Sequence, residues 1–164
     1  MHLLSAAFPD DGPIPVVHTC EGRDVSPPLR WGGLPPGTAS LALVVDDPDA
    51  PDPAAPKTTW VHWVVYDLPP NVGGLDTGAS TALPHGARDG TNDWRRTGWR
   101  GPCPPIGRHR YVVKLYALDV ALGDRGALTK GELESVMAGH VLDRAQLVGN
   151  YARTGHPAKE RPAR

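Results

Sequence analysis

Three stretches of this 164-residue chain place polar side chains where they could bind or transform a small molecule. The first is Asp46-Asp-Pro-Asp-Ala-Pro51, three carboxylates at the end of an apolar run, stiffened by two prolines. Pro51 is a candidate for a cis peptide after Ala50, a geometry that in folded proteins belongs almost entirely to X–Pro bonds. Taken alone the segment reads first as a solvated surface turn. The second is His62 within Trp60-Val-His-Trp63. An imidazole in an apolar strand must find hydrogen-bond partners or suffer desolvation, so it is a satisfied core histidine, a ligand contact or a base. The third is Gly101-Pro-Cys-Pro-Pro-Ile-Gly-Arg-His-Arg-Tyr111, a rigid loop running into a strand that begins with His109 and Tyr111. Prolines reduce the entropy lost when a ligand docks on such a loop, and glycines let backbone N–H groups approach an anion. The structural alternative is a well-packed loop with a hydrogen-bonded histidine. Two imidazoles with ordinary pKa near 6.5 and a neutral phenol would make a donor set for a small anion, strengthened by protonation.

Elements must hold these residues in place. Ser40-Leu-Ala-Leu-Val-Val-Asp46 reads as a strand, and so does Trp60-Val-His-Trp-Val-Val-Tyr66, which is apolar on both faces and therefore central. Arg110-Tyr-Val-Val-Lys-Leu-Tyr-Ala-Leu118 is a third strand; His109, Tyr111, Val113, Leu115 and Ala117 form its more apolar, inner face. Residues 69–108 look irregular, too long a loop for a compact domain unless short strands hide in it or it builds a site. Thr129-Lys-Gly-Glu132 has the form of a capping box, and Leu133, Val136, Met137, His140, Val141, Leu147 and Val148 recur at helical spacing. The pattern predicts a helix over 130–148, closed by Gly149 and followed by a polar, frayed tail over 154–164, with one domain spanning 1–153.

The composition removes several functions. Nineteen glycines, nineteen prolines and 40% hydrophobic residues describe a turn-rich globule. A net charge of −1 leaves no basic footprint for nucleic acid, and no apolar run is long enough to span a membrane. Cys20 and Cys103 form neither a disulfide framework nor a zinc pattern, and the first residues lack the cationic start of an export signal, so the expected compartment is the cytoplasm. Ser40, Ser80 and Ser135 have no nucleophile-elbow context, and Cys103, between prolines, is at best a weak thiol–imidazole partner for His109. No catalytic residue, metal site or cofactor is assigned. His140 falls on the apolar stripe of the expected helix and reads as buried; His2, His18, His85 and His156 read as solvated. The five tryptophans read as core or pocket wall.

Taken together, Asp47-Pro-Asp-Ala-Pro51, Trp60-Val-His-Trp63 and Gly101-Pro-Cys-Pro-Pro-Ile-Gly-Arg-His-Arg-Tyr111 resemble the phosphatidylethanolamine-binding protein family, and more closely its bacterial Raf kinase inhibitor-like branch. The likeness extends through Cys20–Trp31 and Pro35–Ser40 upstream, and Tyr116–Asp119 and Gly139–Leu142 downstream, covering residues 5–152. It implies a mainly β fold, two packed antiparallel sheets with peripheral helices including one near the C-terminus. It implies a small pocket for phosphate-type or phospholipid head groups, without catalysis, lined by Asp47, His62, His109 and Tyr111. By the same resemblance Asp49, Pro51, Cys103, Pro104, Pro105, Gly107 and Arg110 are expected to shape the pocket; strand alternation turns Arg110 away from His109 toward a motif carboxylate. The bacterial branch also implies a homodimer, and the family a regulatory protein partner. Two other functions compete: a metal-dependent hydrolase using His62, His109 and Asp47, and a protease-inhibitor-like protein using the Pro-rich loops. The chain departs from the pattern at Lys57-Thr-Thr59, where animal members carry a tyrosine, and at the Arg95, Arg96 and Arg100 cluster, which reads as a pocket rim attracting acidic ligands or as a solvated surface.

Overall fold

The computed structural model describes residues 1–154, so the expected tail lies outside the described residues except for Thr154. Strands β1 (His2–Leu4), β3 (Leu29–Gly32) and β6 (Gly74–Leu75) form a small antiparallel sheet in the order β1-β3-β6. The larger sheet contains β2 (Gly12–Pro13), β4 (Ser40–Ala50), β5 (Thr58–Leu68), β7 (Arg88–Asp89), β8 (His109–Leu118) and β9 (Val141–Tyr151), ordered β2-β9-β8-β4-β5-β7. Its pairings are antiparallel except for the short parallel contact of β2 with β9. The fold is mainly β, with two packed sheets as expected. The two-residue strands β6 and β7 lie within the apparently irregular 69–108 stretch.

Side-chain alternation along β4 builds two apolar layers. Leu41, Leu43 and Val45 face the small sheet and pack with Leu29, Trp31 and Leu75. Ala42 and Val44 face the other way and meet Leu128, Leu133 and Met137. Both faces of the central strands are buried, which explains their near-continuous apolar sequence. The one α-helix of the described residues, α1 (Lys130–Met137), covers the second layer through Leu133 and Met137, one turn apart. Its capping box forms as expected: Glu132 N donates to Thr129 Oγ1, and Thr129 N donates to Glu132 Oε1.

The expected helix over 130–148 is corrected here. The helix ends at Met137, Gly139 adopts a left-handed φ of 83°, and residues 141–151 continue as β9, paired along β8 from His109↔Tyr151 to Leu118↔Val141. Leu147, Gly149 and Tyr151 are buried in alternation, a period-2 pattern that the 3.6 spacing from Leu133 masked. His140 consequently sits in the connection, partly exposed, with Nδ1 against Asp119 Oδ1 at 2.8 Å, rather than on a buried helical stripe. His18, read as solvated, is buried and held at Nδ1 by the Val25 carbonyl.

Candidate functional site

Alternation sends the adjacent carboxylates of the first motif to opposite faces of the sheet. Asp46 turns toward the helical side, where its Oδ2 accepts from both Lys114 and Lys130 Nζ. Asp47 turns toward the inter-sheet side and meets His109. Beyond Asp47 the pairing of β4 with β5 slips, because three steps on β4 from Asp47 to Ala50 face two on β5 from Trp60 to Thr58. A second irregularity lies on β5: Val45 pairs with Trp63 but Asp46 pairs with Val61, so His62 is an extra, unpaired residue. Such a bulge re-aims side chains and shifts the alternation by one. Regular alternation would point His62 to the same face as Val64, into the apolar layer under α1; the bulge instead puts it beside Tyr111, ring centroids 5.2 Å apart. The Ala50–Pro51 bond is cis.

These distortions surround one cavity of about 330 Å³ at the end of the β4, β5 and β8 strands. Asp47, His62, His109 and Tyr111 line it together, with Pro51, Cys103, Pro104 and Pro105. Trp60 and Trp94, packed edge to face at 5.5 Å, complete an aromatic wall, with Ala50 and Thr58 beside them. Trp94 was legible only as a generic wall residue; its role follows from an Asx-type turn in which Asn92 Oδ1 accepts from the backbone of Trp94 and Arg96. Three expected pocket-shaping residues stand behind the wall. Asp49 is chelated by Arg110, whose backbone N and Nε donate to Oδ2 and whose Nη2 donates to Oδ1 at 2.8 Å. This contact holds the Asp49 carboxyl below its usual range and directs Arg110 away from the cavity. Gly107 turns the loop at φ 75°, and a Cβ there would lie 3.1 Å from Pro53 Cδ.

The two histidines are in different states. His109 places Nδ1 2.6 Å from Asp47 Oδ2 and Nε2 2.9 Å from the Ile106 carbonyl. Both neighbours are acceptors, so only the doubly protonated ring can satisfy them. Burial pushes the His109 pKa down, but the Asp47 hydrogen bond and charge outweigh it, assisted by the Ile106 carbonyl, and the net shift is upward. Asp47 is equally committed, its other oxygen accepting from Asp49 N at 2.7 Å. His62 donates from Nδ1 to the Arg100 carbonyl. Burial dominates its titration and lowers its pKa despite the Arg100 carbonyl and nearby carboxylates, so the ring is neutral, with Nε2 as a bare acceptor. Tyr111 is buried; burial first, then the charges of Asp47 and Asp49, push its phenol pKa up and keep the hydroxyl a donor. Among the described residues, His62 Nε2 and the Tyr111 hydroxyl have no hydrogen-bond partner within the protein.

The picture of two equivalent donating imidazoles therefore changes: the protein itself consumes both His109 nitrogens. The same commitments leave Asp47, His62 and His109 without three free donors, and no group of three His, Cys, Asp or Glu side chains among the described residues has a metal-holding arrangement. Cys20 and Cys103 are joined in a disulfide with Cα atoms 5.4 Å apart, so Cys103 is no thiol partner for His109. The pairing also removes the thiol argument for a cytoplasmic compartment. Lys57 is exposed and does not line the cavity. Of the arginine cluster, Arg95 and Arg96 are exposed, while the Arg100 guanidinium lies over the Trp94 ring at 5.1 Å. No helix among the described residues is long and apolar enough to cross a membrane.

Comparison with known proteins places this geometry in context. Residues 4–152 match the family model described as "Phosphatidylethanolamine-binding protein". A curated relative from Methanothermobacter thermautotrophicus, named only UPF0098 protein, is 46% identical, with 93% of this chain and 99% of the relative covered. A crystal structure of a phosphatidylethanolamine-binding protein homolog from Chlamydia trachomatis superposes with a TM-score of 0.85 at 40% identity, covering 93% of this chain and 97% of the other. Escherichia coli YBCL superposes with a TM-score of 0.83 at 30% identity, covering 93% and 98%.

Proposed function

We propose, from the premise that this chain belongs to the phosphatidylethanolamine-binding protein family, that the protein is a non-catalytic binder of a small phosphate-type group, free or as the head group of a larger molecule. The observation that carries this reading is the pair of unpartnered polar atoms in one cavity, the bare Nε2 of neutral His62 and the hydroxyl of Tyr111. A phosphate monoester monoanion complements both. Its P–OH donates to Nε2 and a P–O⁻ accepts from the phenol, and a proton shift to His62 turns the first contact into an ion pair. Trp60, Trp94, Pro51, Pro104 and Pro105 offer apolar surface to the organic remainder. Asp47 works at one remove, since its carboxylate neutralises and orients the His109 imidazolium.

Calorimetric titration with inorganic phosphate and with O-phosphoethanolamine tests the reading. Saturable binding that weakens by tenfold or more in Tyr111→Phe and in His62→Ala supports it. Absence of binding by the wild-type protein between pH 5 and 8 overturns it. A homodimer and a regulatory protein partner remain part of the proposal, read at the same time by sedimentation and by pull-down.

A further inference from the structure

Cys103 is a wall residue of the cavity, and its disulfide partner Cys20 lies 83 positions away on a separate segment. That segment is a fixed post. Thr19 Oγ1 donates to the Val16 carbonyl, His18 Nδ1 donates to the Val25 carbonyl, and Glu21 accepts from the Tyr151 hydroxyl and from Thr154 N at the end of β9. Tyr151 is itself paired with His109 across the sheet, so the post is anchored beside the site. The wall loop approaches this post closely. Gly101 N donates to Asp24 Oδ1 at 2.8 Å, Cys20 N donates to the Pro102 carbonyl, and a Cβ on Gly101 would come within 2.1 Å of the His18 carbonyl oxygen. The loop in turn serves the site twice. Before Cys103, the Arg100 carbonyl accepts from His62; after it, the Ile106 carbonyl accepts from His109. The disulfide thus clamps the loop at a point between the two carbonyls that hold the two imidazoles.

We infer that the Cys20–Cys103 bond is a redox clamp on the anion cavity: oxidised, it holds the wall and both histidine anchors in register; reduced, it releases them and weakens binding. This rests on the proposed function of the same cavity. Cys20 is an exposed residue and Cys103 only half-buried, so Cys20 is the sulfur an external thiol reaches. The thiolate of a dithiol reductant attacks Cys20 Sγ, the Cys20–Cys103 bond breaks, and Cys103 leaves as a thiolate that takes up a proton. The reductant's second thiolate then attacks its own sulfur in the mixed disulfide, freeing Cys20 as the second thiol and leaving the reductant as a cyclic disulfide. Two electrons and two protons pass to the protein. The hydrogen bonds of Gly101, Cys20 and Trp99 to the post are then left without the covalent link and open more often, so reduction loosens the loop without unfolding it.

The test uses the full chain in three forms: oxidised, reduced with dithiothreitol, and Cys20→Ser, which removes the bond without altering a residue that lines the cavity. Free thiols are counted first. Two free thiols in protein isolated under air and never reduced would show that the bond does not form and would overturn the inference. Amide hydrogen exchange over residues 99–107 is expected to accelerate severalfold in the reduced and Cys20→Ser forms, with β4 and β8 unchanged, while affinity for inorganic phosphate falls severalfold. Unchanged exchange in that loop, or equal phosphate affinity of the oxidised and reduced forms, overturns the inference and leaves the proposed function standing. Phosphate bound by no form overturns the proposed function and this inference with it.

Discussion

His109 and Asp47 form a pair in which every ring nitrogen and every carboxylate oxygen has a protein partner. The imidazole donates to Asp47 Oδ2 at 2.6 Å and to the Ile106 carbonyl at 2.9 Å, while Asp47 Oδ1 accepts from Asp49 N. The pair joins the first motif to the third, across the β4–β8 ladder, and holds the wall loop by the carbonyl just before Gly107. Both ring nitrogens of His109 and both oxygens of Asp47 have a protein partner, so the pair contributes a fixed charge pair and a fixed shape to the cavity.

Asp47→Asn removes the carboxylate that holds His109 protonated. The His109 pKa, read from its imidazole proton shifts by NMR, is expected to fall below that of the wild type. Loss of one charge-assisted hydrogen bond in a buried setting costs about 1.5–3 kcal/mol in urea denaturation at pH 6. A His109 pKa unchanged by the substitution would contradict the assignment of the charged state.

The same pair sets a pH dependence of stability. The folded-state pKa of His109 is raised, so its contribution is fully present below the unfolded value near 6.5 and is lost as pH rises through the folded value. Asp49 has the opposite sign. Its folded pKa is lowered by Arg110, so that contribution is present above the unfolded carboxylate value near 3.9 and is lost as pH falls through the folded one. Denaturation midpoints across pH should therefore decline on both sides. Asp47→Asn should flatten the alkaline side, and Arg110→Ala the acid side.

Tyr111→Phe deletes a cavity-facing hydroxyl without a protein partner and keeps the ring that packs edge-on against His62. Stability should change little, because the hydroxyl opens onto the cavity and no protein hydrogen bond is lost with it. Phosphate affinity should fall by about 1.5–3 kcal/mol, the usual worth of a hydrogen bond to a charged group. Calorimetry and thermal melts on one preparation separate the two effects.

His62 should make anion binding pH-dependent in a ligand-specific way. A sulfate ester carries no proton to donate to Nε2, so its binding requires protonated His62. Because the His62 pKa is lowered by burial, sulfate affinity should climb as pH falls below 6.5, whereas a phosphate monoanion brings its own proton and should bind over a wider range. Calorimetry in buffers of different ionisation enthalpy should show proton uptake for the sulfate ester. A flat sulfate profile would count against the assigned tautomer.

Much of this molecule can be read from local pattern alone. Residues 40–46, 60–66 and 110–118 announce their strands through β-branched and aromatic runs, and the Thr129–Glu132 cap announces the start of the helix, because propensity and capping act over a few residues. The direction of Arg110 toward a carboxylate follows from period-2 alternation. The order of three motifs along the chain was enough to suggest the family and the residues around the cavity. Other features were decided only by tertiary structure. Residues 141–151 carry spacing compatible with helix and strand alike, and the free edge of β8 settled it by pairing with them. His62 reaches the cavity through a bulge that exists only in the register between β4 and β5. The protonation states of the two histidines depend on the burial of His62 and on the contact of His109 with Asp47, and the Cys20–Cys103 bond joins segments 83 residues apart, contacts chosen by the folded chain rather than by neighbours in sequence.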